Sequence, residues 1–357
     1  MSSNTLQGIG ADRLADFETD EIVAGAVGAL SVLAFVGLFV AAPGYAVFPV
    51  ITFLLVAGYG WYRNQATTAR ALTFLATAST VLILGLITVY LVLKAIPVFQ
   101  IMGADIFFKH TGTLWSSSDN IYVLTPMIWG TVITTLIATC IAGPLGLAGA
   151  IFIAELAPGW LRDVVKPGVE MLAGIPSIVY GFIGFNIVNP AMSDYLDLTN
   201  LGSLFAVGIV IGVMALPTVV SVAEDAITSV PDSMTDGALA LGTTDWQSIK
   251  HVIVPASFSG LSAAVLLGVG RAIGETMAAT VMLGHNQALP EPFYNVFGNT
   301  ETLTTLIASQ YGNALASNYF MSALFAAGVV LFVTVLCLSI GSHLIERRMQ
   351  SKLGGQA

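Results

Sequence analysis

Asp236–Asn286 reads DGALALGTTDWQSIKHVIVPASFSGLSAAVLLGVGRAIGETMAATVMLGHN, and its two halves differ sharply. Asp236–Pro255 is the longest polar interruption between two apolar runs. Ala256–Asn286 then returns to an apolar run with Arg271 and Glu275 inside it. An arginine at the centre of a bilayer costs about 2.5–3.5 kcal/mol on insertion scales, so its presence there requires a reason. Arg271 and Glu275 are four apart, which on a continuous helix puts them on one face within pairing distance. From the residues alone, such a pair reads equally as a functional site or as a structural salt bridge.

Outward from this stretch the chain stays apolar. Charged residues make up 9 % of it, against roughly a quarter in a soluble protein. That composition points to a polytopic membrane protein, not a large soluble core. The net charge of −9 comes partly from an N-terminal acidic tail with Asp12, Asp16, Glu18, Asp20 and Glu21. The sequence shows no basic cluster, which argues against nucleic acid as a partner. Cys140 and Cys337 stand alone in apolar runs and read as small buried residues. His110, His251, His285 and His343 are scattered, so no metal site is legible.

Eight runs meet or approach the roughly 20 residues a helix needs to cross a bilayer. They are 22–42, 46–62, 71–93, 126–154, 167–188, 204–222, 256–284 and 319–345. The first follows an acidic stretch without a clean cleavage site and is expected to be a retained span. Pro43-Gly44 makes a turn between the first two, predicting an additional hairpin over 22–62 beside a six-span core over 71–345. An acidic tail (1–21) and a C-terminal tail (346–357) complete the division.

With the N-terminus in the cytoplasm, the inner segments hold Arg13, Arg63, Arg70, Arg162, Lys166, Lys250, Arg347, Arg348 and Lys352. The outer segments hold only Lys94 and Lys109. That bias predicts both termini, and the loop at 236–255, on the inside. Outside, the aromatics of 97–115 are expected at the headgroup level or against a partner, and Thr300–Tyr311 as a short interfacial helix. Gly260, Ala264, Gly268 and Ala272 recur every four residues, as do Gly270, Gly274 and Ala278, predicting close helix packing. Pro144, Pro176 and Pro217 predict kinks or local unwinding.

The inner loop has its own grammar. Pro231 can open a helix, Met234, Ala238 and Leu241 share a face, and Gly242 is a C-terminal stop. Thr244 and Gln247 form a capping-box pair that opens a second short helix, with Pro255 ending it. Its spacing resembles the EAA loop of ABC importer permeases: EAA, three residues, Gly, nine residues, then Ile-x-Leu-Pro. Here Asp236-Gly237-Ala238, Gly242 and Val252-Ile253-Val254-Pro255 keep every interval, with conservative departures at Asp236, Gly237, Val252 and Val254. In that family the loop is the coupling helix seated in a cleft of an ATPase subunit. The resemblance thus implies that role for Asp236, Gly237, Ala238, Gly242 and Pro255.

Arg271-Ala-Ile-Gly-Glu275-Thr276-Met277 likewise resembles the RAxGET signature of phosphate ABC importer permeases. Ala150–Pro158 (AIFIAELAP), Leu172–Phe182 (LAGIPSIVYGF) and Phe107–Trp115 (FFKHTGTLW) agree, and GETMA followed by Gly284-His285-Asn286 is closer to the PstC type than to PstA. The likeness runs from about Leu72 to Ile345. It implies an all-α polytopic fold, a six-span ABC importer permease core with the N-terminal hairpin added. It implies a multi-pass protein of the cell membrane whose substrate pathway includes Arg271, Gly274, Glu275 and Thr276. The expected partners are a second permease (PstA type), ATPase subunits (PstB type) and an extracytoplasmic phosphate-binding protein (PstS type). The chain has no GxxxxGK[ST] loop, so ATP and Mg are expected in the ATPase, with no cofactor and no enzymatic activity in this chain. Molybdate, sulfate or phosphonate permeases are alternatives within the class. An ion-coupled secondary transporter is the alternative outside it, though no internal repeat of the kind such proteins carry is evident.

Overall fold

The computed structural model describes residues 19–196 and 202–352. Asp12, Arg13, Asp16 and Glu18 of the acidic tail, and 353–357 of the C-terminal tail, lie outside those residues. Two compact units divide the chain, Met1–Val89 and Tyr90–Ala357. Among the described residues, six helices are long and apolar enough to cross a membrane, or up to eight if each of two bent helix pairs forms one span.

In the first unit, α1 (Thr19–Ala41) and α2 (Val47–Arg63) are joined by a turn of 3-10 helix, Pro43–Tyr45, where the sequence places a turn. They pack on each other and on the start of α3 (Gln65–Met102) around an apolar cavity of about 360 Å³.

The second unit takes up α3 near Tyr90. A single-turn helix α4 (Asp105–Phe108) and a two-stranded ribbon, β1 (Trp115–Ser116) with β2 (Ile121–Tyr122), then lead to α5 (Thr125–Ile151). In the ribbon Trp115 packs edge-on against Tyr122 and Phe320, while Phe107 and Phe108 are exposed. Next come α6 (Gly159–Ala173), α7 (Ser177–Ile183), α8 (Asn189–Leu196) and α9 (Leu204–Thr228).

Helix α9 is the hub: 61 % of its apolar window is buried, against 11–33 % for the other long spans. It lies against α5 and, beyond the inner loop, α13 (Phe258–Gly274). Small residues make that possible, since lipid supplies no hydrophobic drive between helices and close backbone approach must. A Cβ at Gly208 would come within 2.7 Å of Ile137, and one at Gly146 within 2.7 Å of Val219. On α13, Gly260 faces Ala226 and Gly268 faces Val219 with no space for a side chain, as the four-residue spacing predicts.

The breaks were less legible. Pro144 and Pro217 lie inside continuous helices, whereas Gly174-Ile175-Pro176 bends the chain by 91° between α6 and α7. Proline removes an amide donor and drives its predecessor out of the helical region, and glycine before it weakens the turn further. The apolar run expected over 167–188 is therefore divided at this bend between two helices. Likewise the run 256–284 is not one helix: it starts beyond a 74° bend at Ser257 and stops at Gly274. Cys140 and Cys337 are exposed on their helices, correcting their reading as buried residues. The last helices are α14 (Met277–Met282), α15 (Leu303–Ala314) and α16 (Asn318–Lys352). Leu303–Leu306 are buried, so the first turn of α15 packs against the rest of the second unit.

Candidate functional site

The inner loop forms much as its residues dictate. Pro231 precedes α10 (Asp232–Ala240), which ends at Gly242 with φ +88°, a conformation glycine adopts without penalty. Gly242 N donates to Leu239 O (2.9 Å) and Thr243 N to Ala238 O (3.4 Å), which closes the helix with a Schellman motif. Thr244 and Gln247 then make the expected reciprocal cap, Thr244 N to Gln247 Oε1 at 3.0 Å and Gln247 N to Thr244 Oγ1 at 3.4 Å.

The second helix outlasts its expected end. It runs through α11 (Asp245–Ser248), a π-helical turn (Ile249–Ile253) and α12 (Val254–Ala256), with Pro255 inside its last turn. A proline in a regular helix collides with the carbonyl four residues back. The wider turn, closed by Val254 N on Ile249 O, comes immediately before it. The loop is anchored from below by Ser248, Ile249 and Ile253, which are buried. Asp236, Gly237 and Gly242 are exposed, as are the apolar Met234, Leu239, Leu241 and Trp246. No neighbour lies within 4 Å of a Cβ built at Gly237 or Gly242. Ala238 is half-buried. This is an apolar, small-residue ledge without an occupant among the described residues.

The second cluster lies at the end of α13. Arg271, half-buried, donates from Nη1 to Thr218 Oγ1 on α9 at 2.9 Å. It does not pair with Glu275. The helix stops at Gly274, and Glu275 is extended (φ −68°, ψ 124°), so the two do not share a helical face. Glu275 instead accepts Ala278 N on Oε1 (2.9 Å), capping α14, while its carbonyl accepts Thr304 Oγ1 from α15 (2.9 Å). Thr276 Oγ1 donates to Gly274 O (3.1 Å), and no atom lies within 4 Å of a Cβ built at Gly274. Local side-chain bonds to the backbone compete with helix continuation, and here they prevail. Gly274, Glu275 and Thr276 thus form a corner with Arg271 one turn before it. Among the described residues no carboxylate lies within ion-pair distance of Arg271.

Two further charged groups escaped the sequence reading. Glu224 on α9, almost fully buried, accepts Lys166 Nζ of α6 at 2.6 Å. The signal was an acid directly after the apolar run 204–222. Nearby, the Arg162 guanidinium caps the end of the π-helical turn Phe152–Leu156 through Ile153 O and Ala154 O. Glu301, fully buried ahead of the Thr302 cap, accepts His285 Nδ1 (2.9 Å), Gln287 Nε2 (3.1 Å) and Ser309 Oγ (2.7 Å). The sequence reading predicts only a short helix over Thr300–Tyr311 here and does not single out Glu301.

Comparison with known proteins gives this arrangement its context. Residues 146–351 match the model of the family described as binding-protein-dependent transport system inner membrane component. The probable ABC transporter permease YqgH of Bacillus subtilis is 39 % identical over 265 residues, 73 % of this chain and 85 % of that protein. The phosphate transport system permease PstC of Haemophilus influenzae is 34 % identical over 291 residues, 74 % of this chain and 91 % of that one. Among solved structures, a bacterial alginate ABC transporter in complex with its pentasaccharide-bound periplasmic protein matches 80 % of this chain and 98 % of its own. Its TM-score is 0.52 at 19 % identity, a likeness of fold alone. The inner loop and the corner after Arg271 both lie within the residues the family model matches, and the chain belongs to the family of binding-protein-dependent transport system inner membrane components.

Proposed function

We propose that this chain is the PstC-type permease subunit of an ATP-driven phosphate importer. The observation that carries the reading is Arg271. It sits in an apolar helix of the bundle, and a neutral hydroxyl, not a carboxylate, holds it. A guanidinium that no carboxylate pairs with among the described residues favours an anion, and its planar fork suits an oxyanion. The curated relatives named as phosphate permeases supply the choice among oxyanions.

In this reading, a second permease of PstA type completes the pathway, and Gly274, Glu275 and Thr276 border it beside Arg271. ATPase subunits of PstB type bind ATP and Mg and seat the ledge around Asp236, Gly237, Ala238 and Gly242, with Pro255 in the last turn of the helix beneath. An extracytoplasmic binding protein of PstS type delivers phosphate from the side opposite that ledge. Both termini face the cytoplasm. The chain contributes binding and orientation, and the energy comes from the partner.

Reconstitution of the chain with its partners in vesicles tests this. Phosphate-loaded binding protein is expected to stimulate ATP hydrolysis, and molybdate- or sulfate-loaded protein is not. Arg271→Ala is expected to abolish phosphate uptake while the complex still assembles. Undiminished uptake by that variant would overturn the site assignment.

A further inference from the structure

We infer that Thr304 and the buried Glu301 are positioning residues for the Arg271–Glu275 corner, forming a strut from the loop before α15. The inference rests on the reading of that corner as the cargo contact.

Its base is a tied loop. Glu301 N donates to Asn286 O (2.9 Å), Asn286 Nδ2 to Asn299 O (3.3 Å) and Gly284 N to Asn299 Oδ1 (3.4 Å). The Glu301 carboxylate gathers His285, Gln287 and Ser309 around it with no exposure to solvent. Burying a carboxylate is costly unless its lone pairs are matched. An apolar contact would close a loop at less cost, whereas three converging donors fix its geometry.

What this geometry fixes is the start of α15. Helix α5 provides the seat: Thr131 Oγ1 accepts Leu303 N (2.9 Å), and any side chain at Gly130 would collide with the Glu301 carbonyl. Thr304, on the first turn, then reaches out of its own helix to the carbonyl of Glu275. That carbonyl belongs to the break after α13, where regular helix bonding has stopped. Glu275 is therefore held at both ends, its carbonyl by Thr304 and its carboxylate by Ala278 N. The loop sets where α15 begins, and α15 sets where the corner sits.

The test uses the complete reconstituted transporter and reads phosphate delivered per ATP hydrolysed. Thr304→Val keeps the shape and removes the bond, and Thr304→Ser keeps the bond. Thr304→Val is expected to lower the ratio about fivefold, the factor that corresponds to one hydrogen bond. ATP turnover stimulated by loaded binding protein should stay at the wild-type level, which a general folding defect would not allow. Thr304→Ser should restore the ratio, and Glu301→Gln, which turns a donor toward Gln287, should lower it. A wild-type ratio in Thr304→Val overturns the strut, as does a Thr304→Ser variant as poor as valine. Arg271→Ala in the same vesicles separates the two ideas. Loss of uptake there with a normal Thr304→Val sinks only the strut. Normal uptake in Arg271→Ala sinks the cargo reading and the strut with it.

Discussion

A guanidinium held by a hydroxyl differs electrically from one held by a carboxylate. Thr218 orients Arg271 without neutralising it, so the guanidinium is not paired directly with a carboxylate among the described residues. Thr218→Val should therefore leave the charge in place and lose its aim. Phosphate uptake is expected to fall by roughly fivefold, the worth of one hydrogen bond, not to vanish as in Arg271→Ala. Arg271→Lys keeps the charge but loses the planar fork, and uptake in vesicles should fall below that of Thr218→Val. Arg271 is conspicuous in the sequence because a charge stands out in an apolar run. Its partner is not, because the i, i+4 rule assumes a helix that continues past Gly274. The bond that helps end the helix comes from Thr304, and no local pattern around Glu275 announces it.

Spans and caps are local, and the sequence disclosed them accordingly. Hydropathy located the long helices, and the Thr244–Gln247 and Gly242 signals placed the turns of the inner loop. The π-helical turns were not legible, because they look like ordinary helix until a proline downstream is considered. Gly242 offers a test at this level. Its φ of +88° would strain any side chain, though the space around it is open. Gly242→Val is expected to distort the turn at a cost of about 1–2 kcal/mol and to lower phosphate transport per ATP while the bundle stays assembled. Gly268 is the contrasting case, buried against Val219 on α9. Gly268→Leu should part α13 from α9. The readout is a lower melting temperature and a loss of the monodisperse peak in detergent, not selective uncoupling.

At the scale of the whole chain, the proposed orientation rests on the charge bias of the loops. In a background with Cys140 and Cys337 replaced by Ser, a cysteine at Leu241, which is 88 % exposed, should react with an impermeant maleimide in inside-out vesicles and not in intact cells. One at His110 should do the reverse, and the opposite pattern would invert the proposed orientation. The long helix after Ser257 adds a purely geometric consequence. The helix beneath the ledge meets α13 at 74°, so the two make a bell crank with its pivot at Ser257. Fourteen residues at 1.5 Å each put Arg271 roughly 20 Å along the second arm. Tipping that crank by about 10° would swing the guanidinium by roughly 3–4 Å, more than the reach of a hydrogen bond. If α9 stayed in place, a tilt of that size at the loop would be enough to part Arg271 from Thr218.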